Sequence, residues 1–158
     1  MKRGLLKLLT LAGAISFITL IKGRPNNEKE IEVEISDGPV RGAVVKRVNP
    51  YSLTVKKNRQ KVRWNVKNDS GIPVNVIIDG FYRTTPPDPA KSHPFGPDDA
   101  DNRFDFETIR PGDGSRLISK TGKGEGPPDL HETYKYTIKV RWEPAGEFTM
   151  DPHVVFID

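Results

Sequence analysis

Residues 133–142 alternate without a break: Tyr134, Tyr136, Ile138, Val140 and Trp142 are separated by Lys135, Thr137, Lys139 and Arg141. Successive side chains of a strand point to opposite faces, so this segment presents one apolar face and one cationic face. That pattern demands a half-buried strand and excludes a helix over the same residues. A second apolar run, Val154-Val155-Phe156-Ile157, follows the turn Asp151-Pro152. Together they predict an all-β, antiparallel Greek-key β-sandwich with this pair in its core.

Shorter alternations support the same class. Ile31, Val33 and Ile35 interleave with Glu30, Glu32 and Glu34, and Asp37-Gly38-Pro39 ends that strand. Further strands are expected at 43–48, 52–56, 61–66, 74–78, 103–109 and 115–119. Asn49-Pro50, Asn68-Asp69-Ser70-Gly71, Asp79-Gly80 and Pro111-Gly112-Asp113-Gly114 supply the turns between them. Two stretches break the rhythm. Residues 84–102 carry Pro86, Pro87, Pro89, Pro94 and Pro97, and residues 112–128 include Gly122, Gly124 and Gly126. Prolines stiffen the first of these, which suits it to present side chains at small entropic cost.

The start of the chain differs from the rest. Residues 1–24 hold Lys2, Arg3, Lys7, Lys22 and Arg24 and no acid, around the uncharged apolar run 8–21. A basic start followed by a short apolar run reads as a signal peptide or N-terminal membrane anchor, expected as a hydrophobic helix. Residues 25–29 read as a short tether and 30–158 as the sandwich domain. The localisation implied is extracytoplasmic: secreted, periplasmic or anchored by the N-terminus, with membrane contact only through that segment. Five of the 25 basic residues lie in the leader, which leaves 20 against 21 acids and about −1 on the remainder. A domain without excess positive charge is no nucleic-acid binder. With no cysteine in the chain, disulfides, thiolate metal sites and cysteine nucleophiles are excluded.

Several segments resemble the cupredoxin-like fold. Ile109-Arg110-Pro111-Gly112 resembles the hydrophobic-x-Pro-Gly before a late strand. Tyr134-Lys135-Tyr136-Thr137-Ile138 resembles the aromatic strand leading to the copper loop, Val154 to Ile157 the closing strand, and Val62 to Val66 the central strand. The resemblance implies a cupredoxin-like β-sandwich lacking blue-copper ligands, because Ile138 stands where the thiolate would and no cysteine exists to replace it. It therefore carries fold and not function. An immunoglobulin or fibronectin type III-like sandwich is the alternative, since Leu130 precedes Tyr136 by the spacing of a tyrosine corner.

Candidate chemistry is sparse. His131 and His153, with Met150 and Asp151, would form a weak copper or zinc site if loops brought them together. Asp98, Asp99, Asp101 and Asp105 offer hard oxygen ligands for calcium but lack the glycine and closing glutamate of a helix-loop-helix site. No serine sits in a Gly-x-Ser-x-Gly elbow. Phe81, Tyr82, His93 and Phe95 are read as an exposed contact surface for a protein or glycan partner. Asn68-Asp69-Ser70 fits a glycosylation acceptor. The reading is an exported, non-catalytic binding or structural module of the cell envelope with no cofactor beyond a weakly held metal ion. A copper or zinc binding protein using loop histidines, and a hydrolase with an unrecognised site, are the alternatives.

Overall fold

The computed structural model describes residues 27–40 and 42–158. The expected leader, and residues 25 and 26 of the tether, lie outside the described residues. Eleven strands are found among those described: β1 (Glu28–Asp37), β2 (Ala43–Asn49), β3 (Ser52–Lys56), β4 (Lys61–Asn68), β5 (Asn75–Thr85), β6 (Pro87–Asp88), β7 (Phe104–Asp105), β8 (Gly114–Thr121), β9 (Glu132–Trp142), β10 (Gly146–Met150) and β11 (His153–Ile157). One short 3-10 turn, Asp99–Asn102, precedes β7. No described helix is long and apolar enough to cross a membrane.

The strands form two sheets packed face to face. The first has the order β2-β1-β4-β8 and the second β3-β11-β9-β5-β6, with β10 added to β9 and β7 to β5. Most pairs are antiparallel, but β1 runs parallel to β4 and β3 parallel to β11. The chain passes from the first sheet to the second at Asn49-Pro50, between β2 and β3. All four segments behind the cupredoxin resemblance fold as it implies. The Pro111-Gly112 turn leads into β8, Tyr134 to Ile138 lies in β9, Val154 to Ile157 closes the second sheet, and β4 sits inside the first. The tyrosine corner of the alternative sandwich does not form, because the buried Tyr136 hydroxyl has no hydrogen-bond partner among the described residues.

Alternation predicts the core well. Ile31, Val33 and Ile35 of β1 and Val62, Trp64 and Val66 of β4 face Tyr134, Tyr136, Ile138 and Val140 of β9, with Val154 and Phe156 of β11 beside them. Trp64 is the hub: its ring lies 4.5 Å from Phe104, 5.9 Å from Phe95, 6.1 Å from Tyr136 and 6.5 Å from Phe81, between centroids.

Phe81 and Phe95 overturn part of the expected contact surface. Both are buried, at 3% and 0% exposure. Asp79-Gly80 is not a turn but a bulge inside β5: Asp79 pairs with Thr137 and Tyr82 with Lys135, so β5 spends one residue more than β9 there. Gly80 absorbs the distortion at φ +65°, a conformation glycine adopts without penalty. The extra residue reverses the parity of the strand and turns Phe81 into the core, where it stacks on Tyr136 at 5.2 Å. Phe95 is drawn in from the proline-rich loop by Asn102, whose Oδ1 accepts its backbone N–H at 3.0 Å. Alternation does not predict strand β10, although Phe148 and Met150 pack against the core.

Phe81→Ala and Phe95→Ala are each expected to cost about 3–5 kcal/mol of stability, the range for a truncated core aromatic. Urea unfolding followed by tryptophan fluorescence measures this, and a change under about 0.5 kcal/mol would return either ring to the surface.

Candidate functional site

The proposed metal ligands are not brought together. His131 is exposed just before β9, whereas His153 pairs with Lys135 four residues further along that strand. At a strand rise of ~3.4 Å they stand about 14 Å apart along the ladder, beyond the reach of one ion. The His153 ring packs edge-on against Tyr51 at 5.9 Å. Asp151 bonds Lys135 at 3.0 Å and Thr137 at 3.0 Å, and the Lys135 ammonium holds its carboxyl below the ordinary carboxylate value. Met150 is paired with Ile138 in the β9–β10 ladder. Three of the four acids considered for calcium are separately occupied: Asp99 by His93 at 2.7 Å, Asp101 by Lys120 at 2.7 Å and Asp105 by Arg103 at 2.8 Å. Among the described residues no group of three metal-binding side chains forms.

His93 comes nearest to catalytic geometry. Its Nε2 lies 2.7 Å from Asp99 Oδ1 and its Nδ1 3.1 Å from the Ser92 hydroxyl. Acyl transfer would also need donors free to meet an oxyanion. Arg103 and Lys139 line the adjoining hollow, but both bond Asp79, at 3.4 and 2.7 Å, and the His93 N–H donates to Glu125 at 3.0 Å. The contact clips a loop. Tyr82, at 37% exposure, is the one residue of the expected aromatic surface that stays well exposed.

Asn68 is closed to modification in the folded domain. It is fully buried, donates to the carbonyls of Ile72 at 2.8 Å and Ile109 at 2.9 Å, and accepts from Ser70 N–H at 3.0 Å and Ser70 hydroxyl at 2.6 Å. The motif builds the β4–β5 turn.

An ionic cluster missed at the level of sequence occupies one end of the sandwich. Glu132, wholly buried at the start of β9, takes Lys57 at 2.9 Å on Oε2 and Arg83 at 2.8 Å on Oε1. Lys57 also donates to the carbonyls of Pro127, at 2.9 Å, and Leu130. Arg83 also donates to Pro86 and Asp88. The Tyr134 hydroxyl lies 3.1 Å from Glu132 and 3.2 Å from Glu125, and burial with those two carboxylates pushes its pKa up. Burial alone would raise the Glu132 pKa, but hydrogen bonds from Arg83, Lys57 and the backbone of Glu125 and Gly126 hold it at about 2. Gly124 lies directly over this carboxylate at φ +64°, and a Cβ there would overlap it.

The surface with unmet binding capacity is the outer face of the first sheet. On the second sheet every charge of the central strands is neutralised: Lys135 by Asp151, Lys139 by Asp79, Arg141 by Glu147, and Arg83 by Glu132. On the first sheet, Glu28 bonds Arg63 and Glu30 bonds Asn65, but Glu32, Glu34 and Arg116 have no ion-pair partner among the described residues. These three surround a shallow hollow of about 800 Å³, completed by Asn65, Lys67 and Ser115. The hollow exists because outward positions at the start of β8 carry no side chain: Gly112 and Gly114 leave open the space beside Lys67, the residue opposite Gly114.

Because the folded-state pKa of Glu132 lies below its ordinary 4.5, its stabilisation is whole above pH 4.5 and lost as pH falls towards 2. Glu132→Gln is expected to cost about 3–5 kcal/mol, since it leaves two buried cations short of a counter-charge. Urea midpoints across pH 2–7 test this: the acid-side slope flattens in the variant, and an unchanged profile refutes the assignment.

No protein-family model matches the chain, and no curated protein is similar to it. Among solved structures, the E. coli chaperone DraB matches with a TM-score of 0.48 at 16% identity, over 82% of this chain and 56% of that one. A laccase from Pediococcus acidilactici matches with a TM-score of 0.43 at 12% identity, over 84% of this chain and 27% of that one. A dithionite-reduced auracyanin from the photosynthetic bacterium Roseiflexus castenholzii matches with a TM-score of 0.41 at 15% identity, over 80% of this chain and 97% of that one. This chain thus spans about half the length of the chaperone and about a quarter of the laccase. At these TM-scores the likenesses say nothing of function, and the fold rests on this chain's own strand order.

Proposed function

We propose that this chain is an exported, non-catalytic binding module of the cell envelope whose working surface is the outer face of the β2-β1-β4-β8 sheet. The observation that carries the reading is the difference between the two faces. Exposed charges on sheets are ordinarily matched with cross-strand partners, as on β5 and β9. Glu32, Glu34 and Arg116 are left around a hollow of a size that a peptide segment fills. The basic and apolar character of residues 1–24 supports export or tethering, and the cysteine-free composition requires the core to hold the domain without disulfides.

A protein partner fits this face better than a glycan. Sugar rings are gripped by stacking on exposed aromatics, and the exposed tyrosines Tyr51 and Tyr82 belong to the second sheet or the turn leading to it. The large apolar side chain exposed on the first sheet is Ile118, with Arg116 before it on β8 and Arg63 opposite it on β4.

A photo-cross-linking residue placed at Glu32 or Arg116, in cells that produce the protein naturally, is expected to give a discrete protein adduct. The same residue at Thr54 or Thr133, on the second sheet, is expected to give none. Adducts from the second sheet alone would overturn the proposal.

A further inference from the structure

We propose that the outer face of the first sheet docks on the same face of a second copy of this chain, with a two-fold axis running along β4. The proposal rests on the reading of that face as the working surface and names its partner. Backbone register sets the outward residues in rows across the sheet. One row is Glu32 of β1, Asn65 of β4 and Arg116 of β8. The next is Glu34, Lys67 and Gly114. All six point away from the core, since Val33, Trp64 and Val66 between them are buried. Neighbouring strands lie about 4.8 Å apart, so Glu32 and Arg116 flank Asn65 at equal distances on opposite sides. Both rows lie in the regular part of the β4–β8 ladder, clear of the shift between Lys61 and Arg63.

A two-fold axis along β4 makes this pattern its own complement. Rotation lays β1 of one copy over β8 of the other, so Glu32 of each copy meets Arg116 of the other. Glu34 of each copy comes down over Gly114 of the other, where the missing side chain opens the hollow to receive it beside Lys67. The three side chains that form no ion pair among the described residues thereby each gain an opposite charge. Asn65 falls on the axis, and its amide, donor and acceptor at once, faces its own copy without repulsion. Arg63 and Lys67 also approach their copies, but Glu28 and Asp69 already neutralise them. Ile118, 42% exposed, is covered in the same step.

Sheets packed face to face stand about 10 Å apart, a gap that a glutamate and an arginine span together. Aligned sheets cross at about 30°, and the row through Asn65 is displaced least by that angle because it meets the axis. Closed two-fold pairs are the commonest assembly, and they require a surface that complements itself. The second sheet offers no equivalent, since its central cations are matched within the chain. Four strands of about eight residues give a footprint of about 500 Å² on each copy, at the low end for specific association. Affinity is therefore expected in the micromolar range and to fall as salt rises.

The test follows the full chain by sedimentation velocity across micromolar concentrations at low salt. A monomer–dimer equilibrium is expected, weakening as salt is added. Glu32→Arg and Arg116→Glu each set like charges against one another at two symmetry-related contacts, and each should weaken the dimer at least about tenfold. An equimolar mixture of the two variants should recover it, because every contact of the mixed pair joins an arginine to a glutamate. The double variant Glu32→Arg/Arg116→Glu should recover it by itself. Monomeric single variants that recover by neither route would overturn the two-fold pairing. Association indifferent to both substitutions would run through another surface, residues 1–24 included, and would overturn it as well. A monomer throughout, with cross-links from Glu32 and Arg116 to a different protein, would overturn the self-pairing alone. Absence of dimer and of cross-links together would overturn the proposed function with it.

Discussion

The buried Glu132 carboxylate is the contact on which the loop end of the sandwich depends. A carboxylate taken wholly out of water must be matched by charge and hydrogen bonds, and here the matching groups come from far apart in the chain. Lys57 arrives from the β3–β4 connection, Arg83 from the end of β5, Tyr134 from β9 itself, and the Glu125 N–H from the glycine-rich stretch. Each tie brings its own segment. Lys57 secures Pro127 and Leu130, Arg83 secures Pro86 and Asp88, and Glu125 accepts the N–H of His93. The proline-rich and glycine-rich stretches are thereby held to one another, with Lys123 and Gly124 both donating to the Pro94 carbonyl. Loops of this composition normally signal mobility or a working surface. In this protein they roof an ionic cluster.

The two faces of the molecule were settled by register. Along β9, each outward cation lies where an acid of β5 or β10, or Asp151 of the short turn after β10, can reach it. Along β1, the outward glutamates run beside β4 in parallel register, and its partners there are Lys61, Arg63, Asn65 and Lys67. Arg63 and Asn65 take Glu28 and Glu30, one rung back, while Lys67 turns to Asp69 at 2.8 Å. The last two glutamates of the ladder, next to glycines that open the surface, thus form no ion pair among the described residues, although Arg47 of β2 lies opposite Glu34 in register.

Much of the fold was legible from alternation, and the failures share a cause. Strands β1 to β4, β8, β9 and β11 appear where apolar and polar residues alternate, because period two survives any arrangement that leaves one face wet. The second half of β5 was hidden by Gly80, since a bulge resets parity and mimics a turn. Phe95 is not legible as core because its proline-rich context hides the pull of the aromatic cluster that its segment reaches with the help of Asn102. His131 and His153 looked like neighbours because both adjoin strands that pair, yet antiparallel register carries them to different rungs. Of the candidate site, the alternating glutamates were visible as a strand but not as a partly unmatched row.

By itself the sequence determined the class of the molecule: a two-layer β-sandwich without thiol chemistry, following a basic and apolar N-terminal segment. Local periodicity and the absence of a residue type suffice for those conclusions, as they require no knowledge of what lies opposite. Tertiary structure alone decided that Glu132 would be buried with Lys57 and Arg83, that Phe81 and Phe95 would belong to the core, and that Glu32, Glu34 and Arg116 would form no ion pair among the described residues. Each of these depends on which strand lies beside which, and in what register. Pairing is set by the packing of whole sheets, and no short stretch of sequence records it.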